Sequence, residues 1–223
     1  MSSMGSTSPW LWRERRGAVE IVFSGRGPAA ERNEVLHGID AAAPDVAWAK
    51  QIHSATVLTA HEPGLQGEGD ALVTDRDGLA LCVITADCVP VLLSGPGGLA
   101  AVHAGWRGIA GRILPATLAG LAGPLSEWTA WVGPAIGACC YEVGPEVAQQ
   151  VATASDAAAV QAGPAGKPHL DLHAAVRRQL AAAGVGETVC VPGCTRCDEE
   201  SLWSYRREGK NAGRNHAFIW KTA

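Results

Sequence analysis

Residues 81–108, LCVITADCVPVLLSGPGGLAAVHAGWRG, decide the fold of this 223-residue chain. The stretch holds three short apolar runs, each rich in branched residues and bounded by Gly, Pro or Asp. The runs are residues 81–85, 89–93 and 99–102. Such runs are typical of buried strands rather than of helices. Cys88 begins the second run and His103 follows the third, so both are expected where a strand meets a loop, a position that is held firmly and yet stays accessible.

Further strand signals recur on both sides of this stretch. They cover residues 19–23, 46–50, 57–59, 71–74, 128–132, 188–191 and 217–220. Pro28 can begin a helix whose body is residues 29–36. Asp171 can cap another helix that ends before Gly184. A third helical pattern, over residues 109–121, contains Pro115, which should kink or interrupt the helix.

Length and composition indicate one globular domain. Hydrophobic residues make up 47% of the chain, enough for a sizeable core, and no internal repeat, linker or low-complexity tract divides it. We therefore predict a single domain over residues 18–223, preceded by a flexible tail over residues 1–17.

The same composition argues against several classes of protein. A net charge of −4 and a pI near 6.0 give no electrostatic basis for binding nucleic acid. No run reaches the roughly 18 apolar residues of a membrane span, and the N-terminus lacks the pattern of a secretory signal. The seven cysteines, an odd number, argue against a disulfide framework and favour reduced thiols. These features together predict a cytoplasmic protein.

A third residue strengthens the case for a metal site at Cys88 and His103. His53 also ends a strand-like run and begins a loop, so the three side chains could converge at one edge of a sheet. Two histidines and one cysteine leave the fourth position of a zinc ion open to water or substrate, which is the catalytic pattern rather than the structural one. The spacing alone does not decide the question, since single histidines near apolar runs are often structural.

A rival metal hypothesis rests on the pair Cys194-x-x-Cys197, whose spacing suits a zinc knuckle or a redox pair. A structural zinc would need two further ligands, and the spare cysteines are the adjacent Cys139 and Cys140. Adjacent cysteines are poorly placed to bind one ion together. Ordinary buried or surface thiols therefore stay an alternative.

Charged residues supply candidates for catalysis and for anion binding. Acids near the proposed metal could act as a general base or orient a ligand histidine. These acids are Glu68, Asp70 and Asp87. Arginines in glycine-rich or loop-like surroundings could bind an anion through two parallel hydrogen bonds, although any one of them is more often a solvated or salt-bridged surface residue. The arginines are Arg26, Arg107, Arg206 and Arg207.

Several strings, taken in order, resemble those of the laccase-domain or YfiH-like family. They are QIH (51–53), GDALVT (69–74), TADCVPVLL (85–93), AVHAGWRG (101–108), GPAIGACCYEVG (133–144), LDL (170–172), CT (194–195), SYRRE (204–208) and GR (213–214). The matches extend from about residue 23 to residue 220. Members of the family have been called multicopper polyphenol oxidases and, more recently, purine nucleoside phosphorylases.

The resemblance implies a fold, a metal and an activity. The fold is a mixed α/β fold of α+β layers, in which central mixed sheets are flanked by helices. The metal is Zn²⁺, bound at the positions of His53, Cys88 and His103. The activity is phosphorolysis of adenosine, inosine, guanosine and methylthioadenosine, together with deamination of adenosine, so the expected partners are a purine nucleoside and phosphate. Asp70, Asp87 and Glu68 are then acid–base candidates, and Arg26, Arg107 and Arg207 are phosphate-binding candidates.

Two strings depart from the family pattern. The early glycine-rich turn reads FSGRGPAA, which keeps Arg26 but lacks the Gly-Gly that follows it in the family. If this turn lines the anion pocket, phosphate binding would be altered. Cys197 is the second departure, because the family does not lead one to expect a cysteine there.

Three other functions are compatible with parts of the pattern. A copper polyphenol oxidase is disfavoured, since the chain has seven histidines, no His-x-His string, and methionines only at positions 1 and 4. A hydrolase that edits peptidoglycan precursors could use the same metal chemistry. A non-enzymatic zinc-binding module is disfavoured, because structural zinc is normally closed by four protein ligands.

Overall fold

The computed structural model describes residues 10–27 and 30–222. Its strands form two six-stranded sheets and one two-stranded sheet. The strands are β1 (Trp10–Arg16), β2 (Val19–Ser24), β3 (Val46–Lys50), β4 (Val57–Thr59), β5 (Gly64–Glu68), β6 (Ala71–Thr74), β7 (Ala80–Thr85), β8 (Val89–Gly95), β9 (Gly98–Ala104), β10 (Thr129–Val132), β11 (Val160–Ala162), β12 (Pro168–Leu170), β13 (Glu187–Cys190) and β14 (Asn215–Lys221). The helices are α1 (Arg32–Ile39), α2 (Trp106–Ala110), α3 (Ile113–Ala119), α4 (Pro145–Ala154), α5 (Leu172–Ala182) and α6 (Tyr205–Glu208).

The two large sheets pack face to face. The first has the order β1-β2-β14-β7-β3-β5, and the second has the order β13-β10-β8-β9-β6-β4. Leu81 and Ile219 of the first sheet share one buried cluster with Leu92 and Trp131 of the second. Because successive side chains of a strand point to opposite faces, Leu93 lies in a different cluster, with residues of α3 to α5. α1 covers the outer face of the first sheet. The predicted mixed α/β layered fold is confirmed.

Residues 81–108 contribute strands to both large sheets and so connect them. The first run forms β7 in the first sheet, whereas the second and third runs form the antiparallel pair β8 and β9 in the second. The predicted strands at 46–50, 57–59 and 71–74 match β3, β4 and β6 to the residue. The side chain of Asp171 caps α5 by accepting a hydrogen bond from the amide of Ala174 at 2.8 Å.

Two local expectations differ from the structure. Residues 10–16, which we assigned to a flexible tail, form β1 and pair with β2 along its length, and Trp12 packs against Phe23. The predicted interruption of the helical pattern over residues 109–121 occurs, but not at Pro115, which lies in the first turn of α3, where its missing N–H costs no helical hydrogen bond. The helical pattern is broken instead at Arg112, whose φ is 64°.

Other expectations fall partly outside the described residues. The proposed helix start at Pro28 and Ala29 lies there, and α1 begins at Arg32. Residues 1–9 of the expected tail also lie there, and the assignment of residues 18–223 to one domain stays a prediction. Within the described residues, no helix is both long enough and apolar enough to cross a lipid bilayer.

Strand pairing brings the predicted ligands to one edge of the second sheet. β9 runs antiparallel to both β6 and β8, so its last residues lie beside the first residues of those strands. His103, near the end of β9, is opposite Pro90 in β8, and its amide donates to the carbonyl of Asp70 at 2.7 Å. Cys88, which precedes β8, is therefore adjacent to His103.

Candidate active site

The structure brings the three predicted metal ligands together. One nitrogen of His53, one nitrogen of His103 and the sulfur of Cys88 lie within 4.8 Å of one another. The two imidazole rings meet edge to face, with centroids 4.9 Å apart. His103 is buried, Cys88 is partly exposed and His53 is exposed, so the group opens toward solvent on the His53 side.

Asp70 holds two of these ligands in place. Its carboxylate accepts a hydrogen bond from Nδ1 of His103 at 2.8 Å and from the amide of His53 at 3.0 Å. It also accepts from the amide and the hydroxyl of Ser54, at 2.6 and 2.8 Å. Since Nδ1 of His103 is committed to Asp70, Nε2 is left as the ligand nitrogen.

The contacts of Asp70 bear on whether it acts as a general base or orients a ligand histidine, a choice that the sequence left open. Its side chain is fully buried, and both of its oxygens accept hydrogen bonds. Burial alone would raise the pKa of this carboxyl, but the hydrogen bonds from His103 and Ser54 outweigh it and hold the pKa well below its usual range. The contacts favour the orienting role over that of a general base.

Backbone geometry explains the glycine that follows His103 and Ala104. A Cβ on Gly105 would lie 2.8 Å from the sulfur of Cys88 and 3.3 Å from a ring carbon of His53. Only glycine leaves both ligands where they are. His53 itself has a φ of 60°, a left-handed conformation that the hydrogen bonds to Asp70 help to hold.

The ligands perturb one another's protonation. Burial raises the pKa of the Cys88 thiol, but hydrogen bonds with His103 and His53 outweigh that effect and lower the pKa to about 7. Burial lowers the pKa of His103, but hydrogen bonds with Asp70 and Cys88 raise it to about 9. The site therefore favours the thiolate form of Cys88, which is the form that binds metals.

The ligands lie in the wall of a cavity of about 780 Å³. Cationic and aromatic side chains form much of the remaining wall. They are Arg32, Lys50, Trp106, Arg107, Tyr141, Tyr205, Arg206 and Arg214. A cavity of this size can enclose a ligand as large as a nucleoside with phosphate.

The other two acid candidates occupy different positions. Asp87 lines the cavity, and its carboxylate accepts from the hydroxyl of Thr195 and from the amide of Arg206, each at 2.6 Å. It thereby connects the segments of Thr195 and Arg206 to the turn before β8 that carries Cys88. Glu68 is exposed and pairs with Lys50 at 2.7 Å, and it is not among the described residues that line the cavity.

The predicted anion-binding arginines also occupy different positions relative to the cavity. Arg107 lines the cavity, with its guanidinium 4.6 Å from the ring of Trp106. Arg26 donates to the carbonyl of Glu199 and to the carboxylate of Glu208, each at 2.7 Å. Its guanidinium also stacks on the indole ring of Trp203.

Arg207 donates to the carbonyls of Thr195, Arg196 and Leu202. Arg26 and Arg207 both lie outside the described lining of the cavity, and their contacts organise the neighbouring chain segments. Their role in binding phosphate stays a prediction.

Several aromatic and cationic lining residues, such as Tyr141, were not singled out as site residues from the sequence, whereas Arg206 was named as a candidate for anion binding. Arg206 lies 5.0 Å from the ring of Tyr141 and donates to the carbonyl of Glu142. Burial raises the pKa of Tyr141 to about 12, so its phenol stays protonated near neutral pH. The string CCYEVG contains Tyr141 and is the sequence signal that pointed toward it, whereas Arg206 was indicated both by the string SYRRE and by its loop-like surroundings.

The donor set fits zinc. Two imidazole nitrogens and one thiolate are the donors that a catalytic zinc site uses when its fourth position is open. Asp70 supplies the carboxylate partner that commonly fixes the tautomer of a ligand histidine.

A second group of possible ligands lies apart from this site in the sequence. The sulfurs of Cys139, Cys140, Cys194 and Cys197 lie within 4.8 Å of one another. Cys139 and Cys140, which the sequence made doubtful as further ligands because they are adjacent, thus lie beside the pair Cys194 and Cys197.

Comparison with known proteins places this geometry in a family. Residues 29–222 match the family model described as multi-copper polyphenol oxidoreductase laccase. A purine nucleoside phosphorylase of Clostridium acetobutylicum is 38% identical, over 79% of this chain and 77% of its own length. An adenosine deaminase from an unknown prokaryotic organism is 37% identical, over 79% of this chain and 75% of its own.

A solved structure supports the same family assignment. The crystal structure of a Neisseria meningitidis protein superposes with a TM-score of 0.86 and 32% identity, over 96% of this chain and all of the other. The two relatives carry the names of enzymes that act on purine nucleosides, whereas the family model carries the name of a copper oxidoreductase. The chain belongs to the laccase-domain, YfiH-like family, and within it resembles members named as purine nucleoside enzymes.

Proposed function

We propose that this protein is a zinc-dependent purine nucleoside phosphorylase that also deaminates adenosine. The observation that carries the proposal is the position of His53, Cys88 and His103 in the wall of a cavity, much of whose remaining wall is cationic and aromatic. The names of the relatives support purine nucleosides as the substrate class.

In this proposal His53, Cys88 and His103 hold the zinc ion, which supplies Lewis acidity at its open position. Asp70 keeps the two histidines oriented through its contacts with the ring of His103 and the amide of His53. Gly105 leaves room for the sulfur of Cys88. These residues position the metal and take no proton from the substrate.

Phosphorolysis needs an anion held close to the sugar. The C1′–N9 bond of the nucleoside breaks, a phosphate oxygen forms the new bond to C1′, and the departing purine takes up one proton. Arg107 and Arg206 line the cavity and are the cations that we assign to phosphate. Among the residues that the structure describes, no carboxylate forms an ion pair with the guanidinium of Arg107, so its charge is available to an incoming anion.

The purine ring needs flat apolar surfaces and hydrogen-bond donors. Tyr141, Tyr205 and Trp106 supply aromatic surface in the cavity wall, and the protonated phenol of Tyr141 can donate to a ring nitrogen. Guanosine, inosine, adenosine and methylthioadenosine share this purine ring. We accordingly propose all four as substrates.

Deamination adds the elements of water at C6 of adenosine and releases ammonia. The reaction needs a group that moves protons between water and the leaving nitrogen. Of the three candidate acids, Asp87 lines the cavity, whereas Asp70 and Glu68 do not belong to its described lining. We therefore assign the proton transfer to Asp87. A cytoplasmic location, where nucleosides and phosphate are both present, is part of the proposal.

One incubation tests both activities. The zinc-loaded protein is mixed with adenosine, with and without phosphate, and the products are separated by liquid chromatography. Without phosphate we expect inosine alone; with phosphate we expect adenine and ribose 1-phosphate, together with inosine and the hypoxanthine that phosphorolysis forms from it. If neither set of products forms, the proposal fails.

A variant pair separates the two reactions. Arg107→Gln should reduce phosphorolysis by about tenfold or more, because it removes a charge-assisted contact with phosphate, and should leave deamination close to the unaltered rate. Arg178→Gln, an exposed arginine of α5 paired with Asp156, is the matched control and should change neither. Equal loss of both reactions in Arg107→Gln would contradict the assignment.

A further inference from the structure

Four cysteines form a compact group that the proposed reaction does not use. The sulfur of Cys139 lies 3.6 Å from that of Cys140, 3.7 Å from that of Cys194 and 3.7 Å from that of Cys197. The sulfurs of Cys140 and Cys197 are 3.3 Å apart. All four atoms lie within 4.8 Å of one another.

These separations are those of a tetrahedral thiolate site. Four sulfurs placed at the zinc–sulfur distance of about 2.3 Å, at the corners of a regular tetrahedron, lie about 3.8 Å from one another. The four sulfur–sulfur separations, from 3.3 to 3.7 Å, lie slightly below that value. A disulfide would instead join one pair at about 2.05 Å and has no use for a third and fourth sulfur at the same spacing.

The fold brings the two cysteine pairs together from distant parts of the sequence. β10 and β13 are parallel neighbours, so the loops that follow them leave the same edge of the sheet. An isolated bridge between Ala135 and Cys194 continues that pairing beyond the strands. The first loop then supplies Cys139 and Cys140, and the second supplies Cys194 and Cys197.

The backbone around the group is suited to thiolates. The amide of Gly137 donates to the sulfur of Cys194 at 3.2 Å, a contact of the kind that surrounds the ligands of metal sites. A Cβ on Gly137 would lie 3.2 Å from the sulfur of Cys139 and 3.4 Å from that of Cys194. Glycine at this position allows the amide to approach the sulfurs.

We propose that Cys139, Cys140, Cys194 and Cys197 form a second, closed metal site that binds one zinc ion through four thiolates. A four-cysteine set is the donor set of structural zinc, in contrast to the open set of His53, Cys88 and His103. This site does not depend on the proposed reaction.

The site would fasten one wall of the substrate cavity. Tyr141, which lines the cavity, follows Cys140 directly, and Thr195 follows Cys194. The hydroxyl of Thr195 donates to Asp87 at 2.6 Å, so a metal that fixes the loop after β13 also fixes a partner of that carboxylate. The two loops are otherwise joined mainly by a few backbone hydrogen bonds.

The test counts metal ions per chain. The full-length protein is purified without chelators, and its zinc content is measured by elemental mass spectrometry. We expect two zinc ions per chain in the unaltered protein, one in Cys194→Ser, and one in the double variant His53→Ala/His103→Ala. Adding Cys194→Ser to that double variant should remove the last ion. The exposed Cys190 lies outside the group, so Cys190→Ser is the matched control and should keep two.

A spectroscopic measurement covers the case in which a variant folds poorly. Cobalt is added to the metal-stripped double variant, which retains all four cysteines, and the thiolate-to-cobalt charge-transfer band is recorded. We expect one cobalt per chain with the intensity of four thiolate ligands. A single zinc per chain in the unaltered protein, with no such cobalt band in the double variant, would overturn the proposal. An intact-mass decrease that shows a disulfide in the freshly purified protein would overturn it as well.

Discussion

Replacement of Asp70 by Asn tests how the metal ligands are oriented. In the structure its carboxylate accepts from Nδ1 of His103, from the amide of His53, and from the amide and hydroxyl of Ser54. An amide group keeps one oxygen and turns the other into a donor. At least one strong contact is then lost on that side, and a donor faces another donor.

The magnitude follows from these contacts. Hydrogen bonds to a charged group contribute roughly 1.5–3 kcal/mol each, so the loss of one or two lowers the free energy of unfolding of the metal-free protein by about 3 kcal/mol. Loss of the carboxylate that orients a ligand histidine typically weakens metal binding 10–100-fold, and we expect about that increase in the zinc dissociation constant.

Two measurements check these values. Zinc affinity is measured by competition with a chelating dye, and unfolding is followed in denaturant on the metal-free protein. Glu20→Gln is the matched control, because Glu20 is also a buried acid but pairs with Arg13, away from the ligands. It should lower stability and leave zinc affinity unchanged. A folded Asp70→Asn variant with the zinc affinity of the unaltered protein would refute the orienting role.

Three other predictions concern the cavity and the fold. Gly105→Ala should reduce zinc content at the first site, because the new Cβ would lie 2.8 Å from the sulfur of Cys88. Gly120→Ala is the control and should keep its zinc, because Gly120 has an ordinary φ and its Cβ would meet nothing nearer than 3.6 Å. Elemental analysis of the two purified variants measures the difference. Burial lowers the pKa of His216 to about 4, so its neutral form stabilises the fold above about pH 6.5, and this contribution of about 3 kcal/mol is lost as the pH falls toward 4. Denaturant titrations from pH 7 to pH 4 should therefore show a shallower decline in His216→Gln, and an unchanged slope would contradict the assignment. Arg26→Gln should lower stability through its lost contacts with Glu208 and leave the KM for phosphate unchanged; a selective rise in that KM would place Arg26 in the anion site after all.

The strands of the core could be predicted from the sequence because burial leaves a simple pattern. β3, β4 and β6 are short apolar runs between polar or glycine-rich turns, and each was predicted to the residue. β1 and β5 lie at opposite edges of the first sheet and were missed. The sequence of β1, WLWRERR, is rich in arginine, and that of β5, GLQGE, is rich in glycine, so neither shows the apolar run of a buried strand.

The grouping of the three proposed metal ligands was predictable for a related reason. His53, Cys88 and His103 each follow or precede an apolar run, so their places at strand ends could be inferred before the pairing of the strands was known. The grouping of Cys139 and Cys140 with Cys194 and Cys197 was not predictable in the same way. It depends on the parallel pairing of β10 with β13, which spacing does not reveal.

The roles of charged residues were the least predictable. Arg207 and Arg107 both lie in strings that suggest anion binding. The guanidinium of Arg207 is satisfied by main-chain carbonyls, whereas that of Arg107 faces the cavity. Which of these occurs depends on the path of the surrounding chain, and residue type carries no information about that path.

The most direct test of the central claim is the rate of ribose 1-phosphate formation from inosine and phosphate as zinc is returned to metal-stripped protein. We predict a negligible rate without metal, a rate restored by zinc in the unaltered protein, and no restoration in His103→Ala. Metal-stripped protein that keeps the full rate, or a His103→Ala variant restored as well as the unaltered protein, would contradict the claim that these ligands carry the reaction.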